Sequence, residues 1–154
     1  MEKLHIDWQF KTFENLSQKE LYAILLARQE VFIIEQKIYY VDCDNRDQNA
    51  WHLFGLDPDG EVVAYLRVLP PGKMEMHSVG RVLSAKKYRL FGYGKELMKN
   101  MHEKVQEEFG HIPLGMSAQV YLENFYQGFG FKTSSEPYIE EDIEHIKMIY
   151  QPSN

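Results

Sequence analysis

Polar and apolar side chains alternate from His5 to Phe10, and that period of two predicts a strand with one wet face. The period then lengthens. Ser17-Gln18-Lys19-Glu20 has the Ser-x-x-Glu form of a capping box and opens a helix to about Glu35, with Leu21, Leu25, Arg28 and Phe32 on one face. An arginine on such a stripe either pairs with a buried carboxylate and reaches toward the edge, or contacts substrate or phosphate. His52–Leu56 and Glu61–Leu69 read as strands joined by the turn Asp57-Pro58-Asp59-Gly60, which makes an antiparallel hairpin. Lys73 to His77 lead into a short apolar strand, Val79–Ser84. After a glycine loop, Lys95–Phe109 places Leu97, Met98, Met101, Val105 and Phe109 on one helical face and stops at Gly110. Pro113–Gln119 is a strand, Val120–Gln127 a short helix and Gly128–Ser134 a strand. An acidic loop from Glu136 to Glu144 precedes the closing strand His145–Tyr150. The pattern predicts one α/β domain over residues 1–154, with a mixed, mostly antiparallel sheet of about seven strands flanked by helices.

The loop Arg89-Leu90-Phe91-Gly92-Tyr93-Gly94 joins strand to helix. Without Cβ atoms at 92 and 94 a ligand can approach the backbone, where a first helical turn leaves N–H donors unpaired. Such a loop is either a plain turn or an anion site, most often for phosphate. Lys86, Lys87, Arg89, Lys95 and Lys99 crowd it in an otherwise acidic chain, which favours the anion. Spacing excludes two phosphate motifs: Glu96 follows Gly94-Lys95 where a Walker loop needs Ser or Thr, and Leu97 replaces the third glycine of a dinucleotide fingerprint. Arg89-x-x-Gly92-x-Gly94 instead resembles the coenzyme A pyrophosphate loop of the GNAT superfamily of N-acetyltransferases. The stretch Gln119 to Phe131, ending Tyr126-Gln127-Gly128-Phe129-Gly130-Phe131, is similar to the family's second signature, at the expected distance. Val31-Phe32-Ile33-Ile34-Glu35-Gln36 further resembles the ElaA branch, and the order of elements is the GNAT order.

Composition narrows the setting. No apolar run has the length of a membrane span, and Met1 to His5 lacks the apolar core of a signal peptide, so a cytoplasmic chain without a membrane partner is expected. Cys43 is the single cysteine, which rules out an internal disulfide and a cysteine-based zinc site. Its aspartate neighbours would raise a thiol's pKa, so it reads as incidental. Asp42-x-Asp44 does not make a calcium loop, because Asp47 and Leu53 stand where glycine and glutamate are required, and no metal is expected. A net charge of −6 argues against a nucleic-acid partner.

The resemblance implies acetyl transfer from acetyl-CoA to the amine of a small molecule or peptide, by direct attack in a ternary complex. It assigns the pantetheine arm to backbone groups of Val82, Leu83 and Ser84, and the pyrophosphate to Arg89, Leu90, Phe91, Gly92, Tyr93, Gly94 and Lys95. Gln119 stands where the family often has asparagine, which leaves its cofactor contact open, and Asn124 is a further cofactor candidate. A backbone N–H near Val82 would support negative charge on the thioester oxygen. Tyr126 matches the tyrosine that protonates the departing thiolate, and its alternative role is packing among Phe125, Phe129 and Phe131. An amine of pKa about 10.4 is neutral in roughly one molecule per thousand at pH 7, so a base or a desolvating pocket is needed. Glu35, His52 and His145 border the two acidic loops and are the candidate bases. Those loops, with Asp42, Asp44, Asp47, Glu140, Glu141, Asp142 and Glu144, predict a cationic acceptor. A noncatalytic acyl-CoA sensor is the competing function, another acyl donor on the same fold is a third reading, and a homodimer stays open.

Overall fold

In chain order the computed structural model contains β1 (Asp7–Thr12), α1 (Gln18–Arg28) with a π-helical continuation (Gln29–Glu35), β2 (Trp51–Leu56), β3 (Val62–Leu69), β4 (His77–Ser84) and α2 (Tyr93–Phe109). β5 (Leu114–Gln119), α3 (Glu123–Gln127), β6 (Phe131–Thr133), β7 (Tyr138–Glu140) and β8 (Ile143–Tyr150) complete it. The structure describes residues 3–153, so Met1 and Glu2 of the N-terminal stretch considered above lie outside them.

The sheet has the order β1-β2-β3-β4-β5-β8-β6, with β7 also on β8. Every pairing is antiparallel except β4 with β5. Among the described residues the count is eight strands rather than seven, because the acidic stretch 136–144 is a hairpin. Glu141 and Asp142 turn it with φ of 48° and 60°, the two positive angles of a primed two-residue turn. Neither residue belongs to the Asn-Gly type that announces such turns.

β3 is buried along its whole length, covered on both faces. On one side α2 lays Leu97, Met98, Met101 and Val105 against Leu53, Leu66, Val79, Met116 and Met148. Each fully buried side chain of this kind stabilises by about 1.5–3 kcal/mol. On the other side Ile24, Ala27, Val31 and Phe32 pack on Phe54, Tyr65 and Leu83. The predicted capping box is present, with Ser17 Oγ accepting from the Glu20 N–H and Glu20 accepting from the Ser17 N–H. The buried stripe differs from the expected one: Leu21 and Leu25 are only half-buried. Arg28, fully buried and ion-paired, fixes the helix phase through Ile24, Ala27 and Val31 instead. This second cluster takes in β2, β3 and β4 but no side chain of β5 or β8, which leaves a polar shelf on that half of the sheet.

Candidate active site

The site begins as a defect in β4. Arg81, with φ 52°, and Val82 both stand opposite the single residue Leu66, since the register runs from Gly80↔Arg67 to Leu83↔Tyr65. A bulge of this kind bends the strand and increases its twist. β4 and β5 therefore pair only at His77↔Leu114 and Ser78↔Gly115 and then diverge. Between them opens a cleft of about 1000 Å³, lined by Val79–Ser84 from β4 and Met116–Gln119 from β5. Its floor near the fork depends on Gly115, where a Cβ would lie 2.6 Å from the Met74 sulfur.

At one end stands the start of α2. Gly92 caps it in the left-handed region at φ 82°, which a side chain would strain. Glu96 is the first residue whose N–H reaches a carbonyl, that of Gly92 at 3.1 Å, so the N–H groups of Tyr93, Gly94 and Lys95 have no intrahelical acceptor. Val82, Leu83, Ser84, Arg89 and Gly94 line the cleft. Leu90 is fully exposed, and Phe91 and Tyr93 direct their rings into a small core with Ile6, Val63 and Tyr88. Of residues 90–95, Gly94 alone lines the cleft, and Leu90, Phe91, Gly92, Tyr93 and Lys95 do not. Arg89 is already engaged: Nε donates to the Ser84 carbonyl at 3.1 Å, and the guanidinium forks onto Glu35, with Nη2 to Oε1 at 2.7 Å. That bond and the positive charge beside it hold the Glu35 carboxyl below its ordinary value against a smaller effect of burial, which makes it a weak base.

The π-helical turn carries Val31, Phe32, Glu35 and Gln36 to the cleft wall. Next to it, buried Arg28 bonds Asp42 and Asp47, while Arg67, which bonds Asp44 and Asp47, and Arg81, which bonds Asp42, line the cleft together with Asp44. The loop after Lys37 is therefore an internally neutralised clasp. Asp42, Asp44 and Asp47 do not supply the expected field for a cationic acceptor, because three arginines cancel them. Arg67 and Arg81 carried no local signal; their partners lie twenty or more residues away in sequence.

Across the cleft from β4, the β5, α3 and β8 side contributes Gln119, Tyr126 and His145 to the lining. Tyr126 is buried, and burial pushes its phenol well above the ordinary tyrosine value. His145 sits on β8 opposite Gln119, with Tyr138 opposite it on the other side. His52 is elsewhere. It is fully buried and outside the cleft lining, with Nδ1 2.7 Å from the Tyr65 hydroxyl and Nε2 2.9 Å from the Asp47 carbonyl oxygen. Burial also pushes its pKa down, so its position suits support of the clasp rather than proton transfer. Asn124 is exposed in the first turn of α3 and does not line the cleft. Ser117, Tyr138, Glu140 and Lys147, which sequence reasoning did not single out individually as catalytic groups, do.

A bulged strand that splays from its parallel neighbour beside a helix N-terminus is the GNAT architecture. Residues 15–152 match the acetyltransferase (GNAT) domain, and the chain belongs to that family. Its homologues include ElaA of Escherichia coli, 37% identical over 146 residues that cover 93% of this chain and 95% of ElaA. A UPF0039 protein of Synechocystis is 38% identical over 149 residues, 96% and 97% of the two chains. The crystal structure of E. coli ElaA superimposes with a TM-score of 0.89 at 35% identity, covering 96% of this chain and 100% of that one. An acyl-CoA N-acyltransferase from Pseudomonas aeruginosa gives 0.88 at 38% identity, with 95% and 99% covered. Among the described residues no helix is long and apolar enough to cross a membrane.

Proposed function

We propose that the chain is an acetyl-CoA-dependent N-acetyltransferase acting on a primary amine of a small molecule or peptide. The observation that carries this reading is one continuous cleft lined by Gly94, at a helix N-terminus with free N–H groups, and by Tyr126 and His145. The residues fit the donor: unpaired amides at the start of a helix suit a pyrophosphate, and an open strand edge at Val82–Ser84 suits an amide-bearing arm. Acetyl-CoA supplies the activated acyl group. Val82, released from the β3 register, offers its N–H to negative charge developing on the acyl oxygen. His145 takes the proton of the acceptor amine. Tyr126 gives its proton to the departing sulfur; burial makes the phenol a weaker acid, but the same environment makes a thiolate a stronger base, so the gap does not widen in proportion.

The test is thiol release from acetyl-CoA against an amine panel, beside thermal unfolding with coenzyme A alone. At a hundredfold excess over the dissociation constant, binding adds about 2.7 kcal/mol, a shift of roughly 5–10 °C for a domain of this size. A shift without turnover on any amine identifies a sensor and ends the enzymatic reading.

A further inference from the structure

We propose that Glu140 docks the acceptor's ammonium beside His145, which makes the acceptor class an alkylamine protonated at neutral pH; this rests on the N-acetyltransferase reading above. His145 is 8% exposed and lines the cleft. Its Nδ1 lies 2.7 Å from the Ile143 carbonyl oxygen, which can only accept, so in the neutral ring Nδ1 carries the proton and Nε2 the lone pair. Nε2 has no hydrogen-bond partner among the described residues, and Glu140 Oε2 stands 3.7 Å from it. Glu140 is itself held in place: Ser117 Oγ donates to Oε2 at 2.9 Å and accepts from the Tyr138 hydroxyl, while the Tyr138 ring stacks on His145 at 6.3 Å and 23°. Three strands, β5, β7 and β8, thus converge on one pair of groups.

A carboxylate and an imidazole lone pair facing each other are both acceptors. Neither satisfies the other. An ammonium, with three N–H donors and a positive charge, satisfies both at once. The other charged groups around His145 are Glu144 and Lys147 on its own strand and Glu141 and Asp142 in the turn, while β5 adds only uncharged Ser117 and Gln119. In the transfer, one N–H bond of the ammonium breaks as an N–H bond forms on Nε2. The electron pair left on the amine is then free to attack, and Glu140 faces the new imidazolium. Arylamines, neutral at pH 7, have no charge for Glu140 to hold.

The experiment measures thiol release from acetyl-CoA with pentylamine and with aniline for the wild type, Glu140→Gln and Glu140→Asp. Expected are a preference for pentylamine, a KM for pentylamine raised on the order of tenfold or more in Glu140→Gln with a smaller change in kcat, an unchanged KM for aniline, and partial recovery in Glu140→Asp. Coenzyme A affinity and thermal midpoint serve as folding controls. An unchanged pentylamine KM in Glu140→Gln, or an equal loss on both amines, overturns the assignment. Turnover of aniline but not of pentylamine overturns it and leaves the acetyltransferase reading standing; no thiol release from any amine brings down both.

Discussion

Tyr126 separates packing from chemistry at a single oxygen. Its ring is wedged among Phe125 and Phe131, and no side chain among the described residues bonds its hydroxyl. Tyr126→Phe should therefore leave the thermal midpoint and coenzyme A affinity nearly unchanged, while turnover falls on the order of a hundredfold if the phenol is the acid. A wild-type rate in that variant makes Tyr126 a packing residue. Because burial raises the phenol's pKa, it keeps its proton to higher pH than a free tyrosine. The ratio of wild-type to variant rates should thus stay level up to about pH 10. The glycines behave differently from what their spacing suggests. A Cβ at Gly94 meets only Phe125 Cζ at 3.8 Å, whereas any side chain at Gly92 meets a φ of 82°. Gly94→Val is the cleaner probe. It should weaken coenzyme A binding on the order of tenfold without lowering the midpoint, and unchanged affinity would count against an anion site at this loop.

At the scale of elements, the clasp of residues 42–47 ties α1, β3 and β4 together through Arg28, Arg67 and Arg81. Burial pushes Asp44 and Asp47 upward, but hydrogen bonds and charge from Arg67 and Arg28 overcome it and hold both below the usual carboxylate value. A carboxylate depressed in the folded chain contributes stability that is present above its unfolded value of about 3.9. That contribution is lost as pH falls through the folded value. Urea midpoints should be level through neutral pH and drop progressively below about pH 4. Asp47→Asn should cost about 3 kcal/mol at pH 7, since it breaks buried pairs on one side, and should flatten the acid branch. An unaltered acid branch in the variant would assign the loss to other carboxylates. The contrast with what the sequence disclosed is one of range. Ser17 and Glu20 are three residues apart, so a capping box is legible, as is the stripe from Leu97 to Val105. Arg28 with Asp47 and Arg81 with Asp42 join distant segments and leave no local pattern. β7 was hidden because Glu141-Asp142 turns the chain at two positive φ angles without the glycine that ordinarily announces such a turn. For the same reason of range, Arg89 read as a phosphate ligand although Glu35, far back in the chain, holds it.

Across the whole molecule, the glycine loop and the Tyr126 signature made the architecture readable because both are contiguous. The cleft depends instead on where two strands part. Past Ser78 and Gly115 the sheet has interior edges as well as its two outer ones. Backbone groups along those inner rims have no neighbouring strand, the condition under which sheets recruit foreign strands and aggregate. The bulge at Arg81 twists one rim away, yet a chain in ligand-free solution still carries a template that closed sheets lack. Light scattering during incubation a few degrees below the thermal midpoint should rise without coenzyme A and be suppressed with it, beyond the change in midpoint itself. Cofactor supply would then set the working lifetime of the protein as well as its rate.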